Sequence, residues 1–142
     1  LESIASLRQD PVASYIEDFY YSDDPLLKAG AIFAMGRNCD SRWLDFLAEE
    51  LQSSSALFRF EAARAYGEIG DEEAVPGLLN LLNDDDHEAQ EAAIAALGKI
   101  GGQEAKDALD GLRTSPENRI REAALSALTE LEICQDPLSS SS

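Results

Sequence analysis

The chain has 142 residues, 44% of them hydrophobic, and its 28 acidic against 11 basic residues leave a formal charge of −17. That balance excludes a nucleic-acid partner and an anionic membrane surface, both of which are held by Lys and Arg. No apolar run approaches the roughly 18 residues that a membrane-spanning helix needs.

The chain opens on Leu1-Glu2-Ser3-Ile4, with neither a basic stretch nor a signal-peptide core and without an initiator Met, so it reads as a piece of a longer protein. Val12 to Tyr20 has helical apolar spacing. Ser22-Asp23-Asp24 then marks a helix start, because short oxygen-bearing side chains accept from free N–H groups and negative charge suits the N-terminal dipole. Pro25 fits the first turn, and a helix rich in Ala and Gly follows to Asn38. Trp43 to Leu51, Ala74 to Leu82 and Ala105 to Arg113 repeat the first helix. Ser53-Ser54-Ser55, Asp84-Asp85-Asp86 and Ser115-Pro116-Glu117 repeat the turn. Ala56–Gly70, His87–Gly101 and Asn118–Glu132 repeat the second helix. Gly70-Asp71 and Gly101-Gly102 suit left-handed helix stops. Asp136-Pro137-Leu138 and the four serines after it are expected to be disordered.

The repeat has a fixed step of 31 residues, which is the mark of a solenoid. First helices (A) share Ile16, Leu47, Leu78 and Leu109. A second apolar row, Phe19, Leu81 and Leu112, is broken by Glu50. Second helices (B) carry two alanine rows: Ala31, Ala62, Ala93, Ala124, and Ala34, Ala65, Ala96, Ala127. Gly36, Gly67 and Gly98 form a third row that ends at Thr129. A mid-helix Gly costs about 1 kcal/mol against Ala, so three in register predict close backbone approach. Asn38 departs from the row Ile69, Ile100, Leu131 and reads as a satisfied local break. Upstream, Leu1, Ile4 and Leu7 fall in register with Ile32, Met35 and Asn38. Cys39 and Cys134 lie about three repeats apart, beyond the ~7 Å reach of a disulfide, so two free thiols in a reducing, cytoplasmic setting are expected.

Ala74-Val75-Pro76-Gly77-Leu78, an acidic turn, and Ala92-Ala93-Ile94-Ala95-Ala96-Leu97-Gly98-Lys99-Ile100-Gly101 resemble the short HEAT-like repeat named after the phycobilisome lyases. The resemblance runs from about Val12 to Glu132 and is strongest in the second and third repeats. It implies an all-α, right-handed α–α superhelix of four helix pairs, with B helices on the concave face and A helices on the convex one. The expected layout is a single HEAT-like solenoid over 1–135. A truncated repeat or cap occupies 1–10, repeats fall at 12–42, 43–73, 74–104 and 105–135, and a tail spans 136–142. The position of Lys28, Arg59, Gln90 and Arg121 is one that in similar repeats links neighbours through an acidic partner. Deoxyhypusine hydroxylase, in the same repeat family, carries His-Glu pairs on its B helices and binds iron. The matching positions here are Ala29-Gly30, Phe60-Glu61, Glu91-Ala92 and Glu122-Ala123. None holds a His, and the lone His87 lies four residues too early, so the iron site does not carry over. No catalytic motif of a bilin lyase carries over either.

Charge is segregated. The B segments hold seven of the eleven basic and seven of the 28 acidic residues, so the whole formal excess of −17 lies on the A helices, loops and ends. B positions not needed for stacking are apolar and aromatic only in the first two repeats. The candidate binding patch is therefore Leu26, Phe33, Arg37, Leu57, Phe60, Glu61, Arg64 and Glu68, centred on Phe33, Phe60 and Arg64, since aromatics with Arg anchor interfaces. The alternative is that the two Phe fill gaps between helices. His87 beside Asp84-Asp85-Asp86 reads as a capped acidic turn, not a cation site, and no nucleophile has a base beside it. The expectation is a chain that is not an enzyme and has no metal or cofactor. It would hold a protein or peptide partner in its groove as a scaffold or regulatory module, and the exposed end of the stack would allow self-association. The rival readings are a bilin lyase or chaperone-like subunit acting on a chromophore-bearing protein, and a structural spacer within a larger protein.

Overall fold

The computed structural model describes residues 11–135. Among them are eight α-helices and no strand: α1 (Pro11–Tyr20), α2 (Pro25–Asn38), α3 (Leu44–Glu50), α4 (Ala56–Ile69), α5 (Val75–Leu81), α6 (His87–Ile100), α7 (Gln103–Leu112) and α8 (Asn118–Gln135). The expected helices beginning at Trp43 and Ala74 start instead with 3-10 turns, Ser41–Trp43 and Glu72–Ala74. Asp40 and Asp71 cap these turns by accepting from the amides of Arg42 and Glu73. The registered Leu1, Ile4 and Leu7 and the serine-rich tail lie outside the described residues.

The four even-numbered helices stack successively on one another, and each packs against the odd-numbered helix before it. This is the solenoid that the 31-residue step implies, and it is all-α and HEAT-like, as the resemblance implies. The core runs along the stack through Ile32, Met35, Trp43, Leu47, Leu78, Ile94, Leu97, Leu109 and Leu131, all fully buried. It is a chain of interfaces, one per helix pair, rather than a single round centre.

The glycine row accounts for the close stacking. A Cβ on Gly36 would lie 2.6 Å from Ala65 Cα, one on Gly67 3.1 Å from Ala96 Cα, and one on Gly98 2.9 Å from Ala127 Cα. Each glycine therefore meets an alanine of the second alanine row on the next long helix. The turns are equally periodic. Ser22, Ser53, Asp84 and Ser115 each accept from the amide two residues on, at 2.8 to 3.2 Å. Asp24, Ser55 and Asp86 then cap α2, α4 and α6. At the other helix ends Gly70 has φ 78°, Gly101 has φ 78°, and Cys39 takes the same position with φ 55°. The Cys39 thiol is free and donates to Gly36 O at 3.0 Å.

Two breaks in the pattern prove to be paired. Asn38 accepts from the Trp43 indole N–H at 2.9 Å, and Trp43 is fully buried. The polar residue replaces the Ile of later repeats because its neighbour is Trp rather than Ala. Glu50, which interrupts the Phe19 row, is buried. It accepts from the Tyr20 hydroxyl at 2.5 Å and pairs with Lys28 at 3.2 Å. Lys28 also lies over the Tyr20 and Phe58 rings, so this polar cluster ties α1, α2, α3 and α4 together.

Candidate functional site

The register position of Lys28, Arg59, Gln90 and Arg121, the fourth residue of each long helix, does two jobs. Arg59 forks onto Asp84 at 2.8 and 3.0 Å and donates to Ser53 O at 2.8 Å, joining its own turn to the next one. Burial raises the Asp84 carboxyl, but the hydrogen bonds from Arg59 and the Asp86 amide outweigh it and hold the group below its ordinary 3.8. Gln90 donates to Leu82 O and Arg121 to Ser115 O, each clamping its own turn. These side chains are consumed by structure.

The candidate patch is different. Phe33 and Arg37 stand one turn apart on α2, and Phe60, Arg64 and Glu68 follow at successive turns on α4, so each set lies along one helix face. Since α2 and α4 are stacked neighbours, the two faces meet. The Arg64 guanidinium carbon lies 5.2 Å from the Phe33 ring centroid and 5.3 Å from that of Phe60, within cation–π range. Phe33 is 42% exposed. Phe60 is half-buried and also packs against the core, so part of its role is to fill the space between helices.

Glu61 sits under this cluster. Its Oε1 is 3.6 Å from Arg64 Nη1, too far for a hydrogen bond. That oxygen is buried without a donor. Burial raises the Glu61 carboxyl above its usual range, and the Arg64 charge opposes the rise. One turn beyond Arg64 on α4, Glu68 accepts from Lys99 Nζ at 2.9 Å. That bond and the Lys99 charge draw its carboxyl below the ordinary value against a smaller opposing effect of burial, with further help from Arg37 and Arg64. Arg37, Glu68, Lys99 and Glu130 occupy one register row, so charge alternates from helix to helix along the stack.

The structure thus brings together Phe33, Phe60, Glu61 and Arg64, with Arg37 and Glu68 electrostatically beside them. Leu57 is exposed on the same helix, near its start. Leu26 goes elsewhere. It is 74% exposed and lines a cleft of about 370 Å3 between α1 and α2, with Val12, Tyr15, Phe19 and Leu27.

One cluster was missed from the sequence. Arg119 on α8 reaches back to α6, donating to Glu91 at 2.9 Å, Gln90 at 3.0 Å and His87 O at 3.4 Å, and to Glu117 at 3.2 Å on its own side. The signal was available in the register row Leu26, Leu57, Glu88, Arg119, whose two leucines give way to charge.

Among the described residues no three His, Cys, Asp or Glu side chains come together to hold a metal ion. With no His at the positions that match the His-Glu pairs, these residues do not fit an iron centre. No helix among the described residues is long and apolar enough to cross a membrane.

A family model described as HEAT repeats matches residues 14–89 and again 44–129. No curated protein matches the sequence. Among solved structures, human deoxyhypusine hydroxylase in complex with glycerol is similar at 29% identity and a TM-score of 0.71, over 88% of this chain. The match spans 44% of the hydroxylase chain, less than half its length. The complex of CpcE and CpcF of phycocyanin lyase from Nostoc sp. PCC7120 is similar at 23% identity and a TM-score of 0.59, over 92% of this chain and 67% of that one. The last likeness is one of fold.

These matches correct one expectation. The sequence alone leads to the expectation that the chain is not an enzyme, yet the solved structures it resembles are of a hydroxylase and a lyase. The physical reason is that a helical stack fixes catalytic and binding side chains in the same way. A missing motif in one sequence does not separate the two roles.

Proposed function

Because this chain belongs to the HEAT-repeat proteins, we propose that it grips a protein or peptide against the face shared by α2 and α4, as the recognition part of a protein-modifying assembly. The observation that carries this reading is the Arg64 guanidinium lying over both Phe33 and Phe60 on an accessible surface. Aromatics with Arg supply large contact area at low entropic cost, and such groups dominate binding energy at interfaces. The repeats of the proposal are 12–42, 43–73, 74–104 and 105–135, acting as one unit. The free thiol of Cys39 is in keeping with a reducing, cytoplasmic setting.

The likeness to the phycocyanin lyase complex favours a more specific form: a bilin lyase or chaperone-like subunit that handles a chromophore-bearing protein. Selection of a displayed peptide library on the immobilised chain tests the general reading. Recovered peptides are expected to lose binding to a Phe33→Ser/Phe60→Ser variant whose helical circular dichroism is unchanged. Equal binding by both proteins would move the site off this face. A saturable shift in visible absorbance on titration with a free bilin is the result expected of the lyase form, and its absence would remove that form.

A further inference from the structure

Most basic side chains on the long helices are tied by hydrogen bonds. Lys99 holds Glu68, Arg119 holds Glu91 and Gln90, Arg59 holds Asp84, and Arg121 holds Ser115 O. Among the described residues Arg64 makes no hydrogen bond. It keeps its place by the two rings below it and by the 3.6 Å approach to Glu61. Its side chain is 47% exposed against 14% for Glu61, so it lies over the carboxylate as a cover that can leave without opening the core. The buried Glu61 Oε1 stays without a donor even with that cover in place. A buried acceptor in that condition is unfavourable and calls for an explanation.

We infer that Phe33, Phe60 and Glu61 form a cage for a cationic side chain, which Arg64 fills in the free chain and which an Arg or Lys of a basic partner segment takes over on binding. The inference rests on the reading of this face as the docking surface and names the chemistry of what docks. Arg64 itself shows that a guanidinium fits over both rings. An incoming group approaching from outside the helix, rather than along α4, gives Glu61 Oε1 the donor it lacks. The displaced Arg64 remains within the electrostatic reach of Glu68, whose carboxyl it already influences. The chain's formal charge of −17, carried outside the long helices, draws a basic segment toward the molecule and repels an acidic one; at the cage itself the attraction comes from Glu61.

The test empties the cage in the full 142-residue chain. In Arg64→Ala, methylguanidinium at constant ionic strength is expected to give saturable NMR shifts of the Phe33 and Phe60 rings, with a low-millimolar dissociation constant. Binding should be at least tenfold weaker in the parent chain, and lost in Arg64→Ala/Glu61→Gln. Arg64→Met, which keeps the aliphatic stem, replaces Arg64→Ala if the latter melts early. No saturable response in a folded variant, or an equal response in the Glu61→Gln double variant, overturns the cage. Saturable binding of acetate to the parent chain at Arg64 would also overturn it, by making Arg64 an anion fork. Failure here with peptide binding still abolished by Phe33→Ser/Phe60→Ser would sink the cage alone. A working cage with no peptide recovered would sink the docking reading alone.

Discussion

Gly30 and Gly36 lie on the same helix and look alike in the sequence, but they have opposite reasons to be there. A Cβ at Gly36 meets the Ala65 backbone at 2.6 Å, whereas nothing lies within 4 Å of one at Gly30. Gly36→Ala gains about 1 kcal/mol of helix propensity. It also forces α2 and α4 apart, and overpacking costs about 1–3 kcal/mol. The expected net effect is destabilisation of up to about 2 kcal/mol, whereas Gly30→Ala should stabilise by about 0.5–1 kcal/mol. Thermal unfolding of the two variants side by side checks this, and a stabilised Gly36→Ala would mean that the helices are not in backbone contact. The period alone made this row legible, since Gly36, Gly67 and Gly98 recur in step and Gly30 does not. The same reasoning picked out Phe33 and Arg64, which stand one period apart. The burial of Glu61 was not legible, because it depends on how the folded side chains around it, Arg64 among them, lie over the carboxyl. Nor was the pairing of Asn38 with Trp43, which faces it across a turn.

Between elements, the ties are polar as well as apolar. Arg59 connects the turn before α4 to the turn before α6 through Asp84, and both side chains are largely buried. Arg59→Met should cost about 1.5–3 kcal/mol, the usual range for hydrogen bonds to a charged group. Asp84 is held below its ordinary 3.8 in the fold. Its contribution is therefore complete above that value and is lost as pH falls through the lower, folded one. In acid unfolding the parent chain should lose stability below about pH 4 more steeply than Asp84→Asn. Identical acid limbs in the two proteins would show that Asp84 is not held low. The existence of a tie at this position followed from the resemblance to known repeats. Its variety did not. The same register position reaches forward in the first two repeats and clamps its own turn in the last two; ahead of Gln90 the acidic partners Glu50 and Asp84 have no counterparts, the matching residues being Leu112 and Ser115.

For the whole molecule, what matters is where the charge lies. The B segments are neutral in sum, so the formal excess of −17 belongs to the A helices, loops and ends. Like charges crowded there oppose folding, and salt screens them with a Debye length of about 8 Å at physiological strength. The thermal midpoint is therefore expected to rise as sodium chloride goes from about 10 mM to 0.3 M. A fall would mean that pairs such as Lys99–Glu68 and Arg119–Glu91 outweigh the repulsion. The all-α repeat architecture was readable from the 31-residue step, because a stack repeats its contacts as faithfully as its sequence. The surface chemistry was readable only in part, since no register constrains an exposed side chain.

The glycine–alanine contacts also give the stack a mechanical asymmetry. On the long-helix side the spacing is already limited by backbone against side chain at Gly36–Ala65, Gly67–Ala96 and Gly98–Ala127. Compressing that side has to deform main chain, while a slight opening only loosens contacts between side chains. The molecule should behave as a spring with a hard stop, resisting more steeply when squeezed shut than when flexed open by a small amount. A partner lodged on that side would meet a surface that can widen around it but cannot clench.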